Sequence, residues 1–143
     1  MGGVIRGTPV GTGRGSGEVV GSTEPLSFWG GYDAGSGEII DRRHPLGGRR
    51  AARRVLAVPA TRGSSTTTAV LLEAVRRGTA PAAILTRGVD RFLSLAAIVA
   101  DELYGAELPV VALDSDDFGL AVTAFRADVR EDGRVTLDHA PPT

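Results

Sequence analysis

Cysteine and lysine are both missing from the 143 residues, so all sixteen basic side chains are arginine. Without a thiol the chain forms no disulfide, offers no thiolate nucleophile and gives no cysteine ligand to zinc or to an iron-sulfur cluster. Without a side-chain amine it has no Walker-type phosphate loop, no Schiff-base nucleophile and no attachment point for pyridoxal phosphate. Histidine occurs only twice, as His44 and His139. Two are too few for a histidine-based metal site unless carboxylates complete it, so both read as structural or surface residues and no metal site is expected. No apolar run reaches the length of a membrane span, and Met1 to Val10 is not an apolar run with a basic flank, so a soluble, cytoplasmic protein that does not engage membranes is expected. A net charge of -1 gives no overall attraction to nucleic acid, and none is expected as a partner.

A chain of this length is one domain by size, long enough to bury about two-thirds of the surface of its unfolded form. Residues 1–17 hold seven glycines, with Gly11, Gly13, Gly15 and Gly17 alternating with Thr12, Arg14 and Ser16. No G-x-G-x-x-G register fits them, because Ser16 and Glu18 fall where the third glycine belongs, so 1–17 reads as a flexible, turn-rich opening. The domain proper is expected over 18–139 and a disordered tail over 140–143. Glu18 to Ser22 reads as a short strand and Glu38 to Asp41 as another. Between them Leu26 to Asp33 concentrates the scarce aromatics, with the single Trp beside a glycine pair, which reads as a tight turn pinned by large rings. Arg42 to Arg54 carries six arginines, either as a solvated loop or as a surface for an acidic partner or substrate, with Arg42, Arg43, Arg49 and Arg50 as candidate phosphate binders.

From Val55 the pattern becomes regular. Val55 to Val58 is an apolar run of strand length, and Val70, Leu71, Ala74 and Val75 recur at helical spacing up to Arg76-Arg77-Gly78, predicting a helix over 67–77. Pro81 to Leu85 is a second buried strand. Asp90 caps a second helix with Phe92, Leu93, Ala96, Ala97, Val99, Ala100 and Leu103 on its apolar face and Gly105 after its end. Leu108 to Leu113 is a third strand, so the centre is βαβαβ with parallel strands. After Asp114 to Asp117 the alternation of Leu120, Val122 and Ala124 reads as extended chain, leading into a terminal β-hairpin that turns at Glu131-Asp132-Gly133. The fold class is α/β: a swivelling β/β/α domain with a mixed sheet or partial barrel, two main helices and a C-terminal β-hairpin.

The stretch Pro59-Ala60-Thr61-Arg62-Gly63-Ser64-Ser65-Thr66-Thr67-Thr68 joins the first of those strands to the first helix. A helix start leaves backbone N–H groups unpaired and carries partial positive charge, which suits a bound carboxylate or phosphate. The same residue types are favoured N-caps, and on local sequence capping is the better explanation, with the anion site the minority reading.

Three stretches in order, LSFWGGYDAGSGEIIDRRHPL, VLAVPATRGSSTTTAVLLEAVRRGTAPAAIL and LAAIVADELYG followed by PVVAL, resemble the small subunit, or swivel domain, of the aconitase X group over residues 18 to 113. The resemblance implies a hydro-lyase, active only when completed by a cysteine-bearing large subunit that holds an iron-sulfur cluster and most of a small hydroxy-acid substrate. The substrates it implies are cis-3-hydroxy-L-proline, favoured here by an Arg-rich, Ala-rich composition typical of GC-rich bacteria, or (R)-5-phosphomevalonate. By the R-G-S-[ST] motif of the family, Ser64 is the expected proton acceptor, and Arg62, Gly63 and Ser65 are expected to bind substrate. Phe28, Trp29, Gly30, Gly31 and Asp33 match a second motif and are expected to line the closed interface, with Asp33 either ordering Arg62 or a substrate amine or capping the turn at Ala34 to Gly37. The competing reading is a non-catalytic module that holds an anion at the Ser/Thr helix start. A phosphohistidine swivel domain is set aside because no histidine lies near Ser64 in sequence.

Overall fold

The structure, a computed structural model, describes residues 2–11, 13–63 and 65–140. In chain order it has strands β1 (Gly2–Arg6), β2 (Thr8–Val10), β3 (Gly15–Gly21), β4 (Leu26–Ser27), β5 (Val55–Ala57) and β6 (Thr61–Arg62), then helix α1 (Ser65–Arg77). There follow β7 (Ala83–Arg87), α2 (Arg91–Tyr104), β8 (Val110–Leu113), α3 (Ser115–Val122), β9 (Arg126–Val129) and β10 (Arg134–Asp138). An eight-stranded mixed sheet runs in the order β1-β10-β9-β3-β5-β7-β8-β2. Strands β3, β5, β7 and β8 are parallel neighbours, and β9 and β10 form the antiparallel hairpin. The two edge strands, β1 and β2, are consecutive in the chain and separated only by Gly7, so the sheet curls until its edges nearly meet.

Side chains alternate across each central strand and divide the core in two. Val55, Ala57, Ala83 and Leu85 face a cluster with Phe118, Ala121, Val129, Val135 and Leu137, which α3 closes. Leu56, Val58 and Ile84 face a second cluster with Leu71 and Ala74 of α1, Leu93, Ala96 and Ala97 of α2, and Leu26, Phe28 and Tyr32. Burial on both faces accounts for the continuous apolar runs of β5, β7 and β8. Helix α2 starts and stops as its sequence predicts: Asp90 accepts hydrogen bonds from the N–H groups of Phe92 and Leu93, and Gly105 closes it in the left-handed conformation at φ +60. Its last turn departs from the expected apolar face, because Leu103 is exposed and the face buried in the core ends at Ala100.

The structure departs from the sequence reading in three places. The opening 1–17 is not a turn-rich appendage, and the domain does not begin at 18: β1 pairs with β10, β2 with β8, and β3 starts at Gly15. Its glycines allow close approach rather than looseness; a β-carbon on Gly15 would stand 2.1 Å from the Ala82 carbonyl oxygen. Residues 115–122 form a third helix where extended chain was expected. The Asp114 side chain accepts from the Asp117 N–H as N-cap, and Phe118 and Ala121, three apart, are buried, while Leu120 stays exposed. Helical spacing therefore overrides the alternation. Glu38 to Asp41 makes only isolated bridges, Tyr32 with Ile39 and Glu38 with Arg50. Of the expected tail, Ala140 donates its N–H to Asp138 and Pro141 to Thr143 lie outside the described residues.

Candidate active site

The two sequence motifs meet through a two-stranded sheet. β4 runs parallel to β6, pairing Leu26 with Thr61 and Ser27 with Arg62, so the aromatic-glycine stretch and the Ser/Thr loop leave the same small ladder side by side. The aromatic-glycine stretch then folds on itself. Phe28 is buried and stacks on Tyr32 with ring centroids 5.0 Å apart, and the Tyr32 hydroxyl donates to the Thr79 carbonyl at 2.8 Å. Burial pushes the Tyr32 phenol well above its ordinary pKa, so it stays a neutral donor. Gly31 has no room for a side chain, because a β-carbon there would sit 2.1 Å from the Ser27 carbonyl oxygen. Gly30, at φ +74, turns the chain. Trp29 is left 69 % exposed at the rim of an open, mainly apolar groove of about 570 Å³, whose walls include Ile40, Ala69 and Val70.

On the other side, Thr61 is fixed by Asp90. The Asp90 Oδ2 accepts from both the Thr61 N–H and the Thr61 hydroxyl at 2.8 Å, while Oδ1 accepts from the N–H groups of Phe92 and Leu93. One carboxylate thus caps α2 and anchors the strand that carries Arg62. Thr68 on α1 donates to the Phe92 carbonyl at 3.0 Å, tying the two helix starts together. The Thr67 hydroxyl is fully buried without a hydrogen-bond partner among the described residues. Gly63, exposed at φ +107, sits between Arg62 and the start of α1.

Arg62 opens onto a cleft of about 480 Å³, lined also by Glu24, Ser27, Asp41, Arg43 and His44. His44 shapes one wall. Its Nδ1 accepts from the Leu46 N–H at 3.1 Å, which assigns the ring proton to Nε2, donated to the Glu24 and Pro25 carbonyls at 3.2 and 3.1 Å. Among the described residues no three His, Asp or Glu side chains are grouped to hold a metal ion, and no helix is long and apolar enough to cross a membrane.

With this geometry in view, the family model described as the aconitase X swivel domain matches residues 4–137. The chain belongs to that family. The swivel domain is 49% identical over 131 residues to the cis-3-hydroxy-L-proline dehydratase of Pseudomonas aeruginosa, covering 91% of this chain and 22% of that protein. It is 38% identical over 121 residues to the phosphomevalonate dehydratase small subunit of Methanothermobacter thermautotrophicus, covering 84% of this chain and 88% of that one. A crystal structure of aconitase X in its holo form, from Thermococcus kodakaraensis, matches with a TM-score of 0.81 at 26% identity, over 94% of this chain and 98% of that chain. The chain therefore spans about a fifth of the length of the hydroxyproline dehydratase it matches, and most of the small subunit.

Within the swivel domain the expected residues fall into groups. Arg62 lines the cleft, Gly63 follows it in the chain, Ser65 is the first residue of α1, and Ser64 lies outside the described residues. Asp33 does not join Arg62. Its Oδ1 accepts from the Gly35 N–H and its Oδ2 from the Ser36 hydroxyl, both at 2.9 Å, so the turn-capping alternative is the one realised. These bonds, and then the Arg77 charge, hold its carboxyl below the ordinary range. Sequence reasoning missed the second role of Asp90 and the contributions of Glu24, Asp41 and His44. Asp90 carried a signal only for its cap, and no local pattern links positions 24, 41–44 and 62.

Proposed function

We propose that this swivel domain closes over the active site of a hydro-lyase that removes water from a small hydroxy acid, cis-3-hydroxy-L-proline. The observation that carries the reading is the β4–β6 ladder, which sets Arg62, just before α1, on a polar cleft and starts the aromatic-glycine turn that lines a separate apolar groove. The identity to the Pseudomonas aeruginosa enzyme supports this substrate. The match along most of a phosphomevalonate dehydratase small subunit supports (R)-5-phosphomevalonate as the second reading.

In this mechanism Ser64 accepts the proton from C2 of the substrate, the C3–O bond breaks as the C2=C3 double bond forms, and the departing hydroxide takes up one proton to leave as water, so that the net loss is the C2 proton and the C3 hydroxyl. A helix N-terminus lowers the pKa of an adjacent hydroxyl by at most about 1.5 units, from roughly 2 kcal/mol at best and about 1.4 kcal/mol per unit. Arg62, an exposed guanidinium on the same loop, supplies further positive potential once closure excludes water. The chain has no cysteine, so an iron-sulfur cluster belongs on a cysteine-bearing large partner, where it would supply a Lewis acid for the departing hydroxyl. The exposed Trp29 and its groove are the surface this partner covers.

The test is to co-express the chain with that partner and follow water loss from both substrates under anaerobic, iron-replete conditions. Ser64→Ala is expected to lower turnover by at least about 100-fold, in the range of losing a general base, with assembly intact. Turnover by the isolated chain, or loss of ligand affinity alone in Ser64→Ala, refutes the two-part catalytic reading.

A further inference from the structure

The cleft beside Arg62 contains both signs of charge, and the two do not neutralise each other. Glu24 and Asp41 supply two carboxylates, Arg43 and Arg62 two guanidiniums. Among the described residues none of the four belongs to an ion pair within 4 Å; the pairs present all involve other carboxylates. Each acidic residue is held by local hydrogen bonds. The Glu24 N–H donates to the Ser22 hydroxyl at 3.0 Å, and the Glu24 carbonyl is gripped by His44 Nε2. Asp41 accepts the Arg43 N–H on Oδ1 at 3.0 Å, with no hydrogen bond to its Oδ2 among the described residues. Arg62 is fixed in register opposite Ser27. A lining of two positive and two negative charges sums to zero, which suits a ligand that is itself a zwitterion. A phosphorylated hydroxy acid, negative at both ends, would meet carboxylates it has no means to satisfy.

We infer that Glu24 and Asp41 form the ammonium-recognising end of the substrate cleft, with Arg62 taking the carboxylate, so that the site selects an imino or amino acid over a phosphorylated substrate. The inference rests on the dehydratase reading above and assigns the side chains that set its substrate class. A ring ammonium donates two N–H groups, and the cleft lining holds two carboxylates to accept them. Closure over the cleft strengthens these contacts by removing water.

The test uses the chain assembled with its large partner and two isosteric compounds, cis-3-hydroxy-L-proline and cis-3-hydroxytetrahydrofuran-2-carboxylate, whose ring oxygen carries no proton. The corresponding non-reacting pair, L-proline and tetrahydrofuran-2-carboxylate, is measured as competitive inhibitors. Glu24→Gln and Asp41→Asn keep shape and remove one charge each from side chains that are exposed or half-buried. Each is expected to weaken the imino acid by roughly 10- to 100-fold in KM or Ki, the range for a lost charged hydrogen bond, while the ether compounds change less than about 3-fold. An unmoved preference in both variants, or an equal loss for imino acid and ether, overturns the inference and leaves the dehydratase reading standing. A wild-type complex that does not dehydrate cis-3-hydroxy-L-proline overturns both.

Discussion

Replacing Asp90 with alanine deletes four hydrogen bonds at one stroke, two from Thr61 and two from the first turn of α2. Loss of an N-cap costs about 1 kcal/mol. The Thr61 bonds go to a charged acceptor, and at the low end of the usual range, suited to a half-buried site, they contribute about 1.5 kcal/mol each. The sum is about 4 kcal/mol, a drop in Tm on the order of 12 °C for a domain of this size. Asp90→Asn keeps Oδ1 for the cap but presents an amide to the Thr61 N–H, so about half of that loss is expected. Thr61→Val removes only the hydroxyl bond, about 1.5 kcal/mol. Urea unfolding followed by circular dichroism gives these differences directly, with an unchanged m-value as the check that two-state behaviour holds. The decisive quantity is the coupling: in the Asp90→Ala background Thr61→Val should cost almost nothing, leaving an interaction energy of about 1.5 kcal/mol. Additivity of the two substitutions to within about 0.5 kcal/mol would show that the carboxylate merely caps α2 and that Arg62 is positioned by other means.

Two further outcomes follow from the aromatic-glycine turn. The Gly35 N–H and Ser36 hydroxyl, then Arg77, depress the Asp33 pKa. Its ionised form therefore stabilises the fold above the unfolded-state value of about 4, and that contribution disappears as pH falls through the lower folded value. Asp33→Asn should accordingly flatten the acid limb of Tm against pH below about pH 4; an identical limb in both proteins would refute the assignment. Trp29, 69 % exposed and the single tryptophan of the chain, reports on assembly: titration with the large partner should shift its emission to the blue. Trp29→Ala should change stability by less than about 0.5 kcal/mol while weakening the complex at least about 10-fold, and unaltered affinity would remove the groove from the interface.

The legible part of this fold is the part whose signals are local. Val55 to Val58, Asp90 and Gly105 announce a buried strand, a cap and a stop within a few residues of where each acts. The opening is illegible for the opposite reason. Residues 2–6 become a strand only because residues 134–138 lie beside them, and nothing near Gly2 in sequence hints at that partner. At α3 two periodicities compete, and the apolar contacts of Phe118 and Ala121 decide the outcome. The candidate site divides in the same way. Arg62 stands in a contiguous motif and lines the cleft, whereas Glu24 and His44 join it there through backbone carbonyl contacts that leave no pattern in the chain.

The pairing of Gly2 with Asp138 places the two ends of the folded chain on neighbouring strands. A polypeptide continuing from either end departs from the same corner of the molecule, so a covalent tether to a larger body holds this domain at one point. Such a tether sets the domain's effective concentration against the body it is joined to. One design of cleft can then serve relatives in which this unit is a fifth of a long chain and relatives in which it is a small subunit of its own.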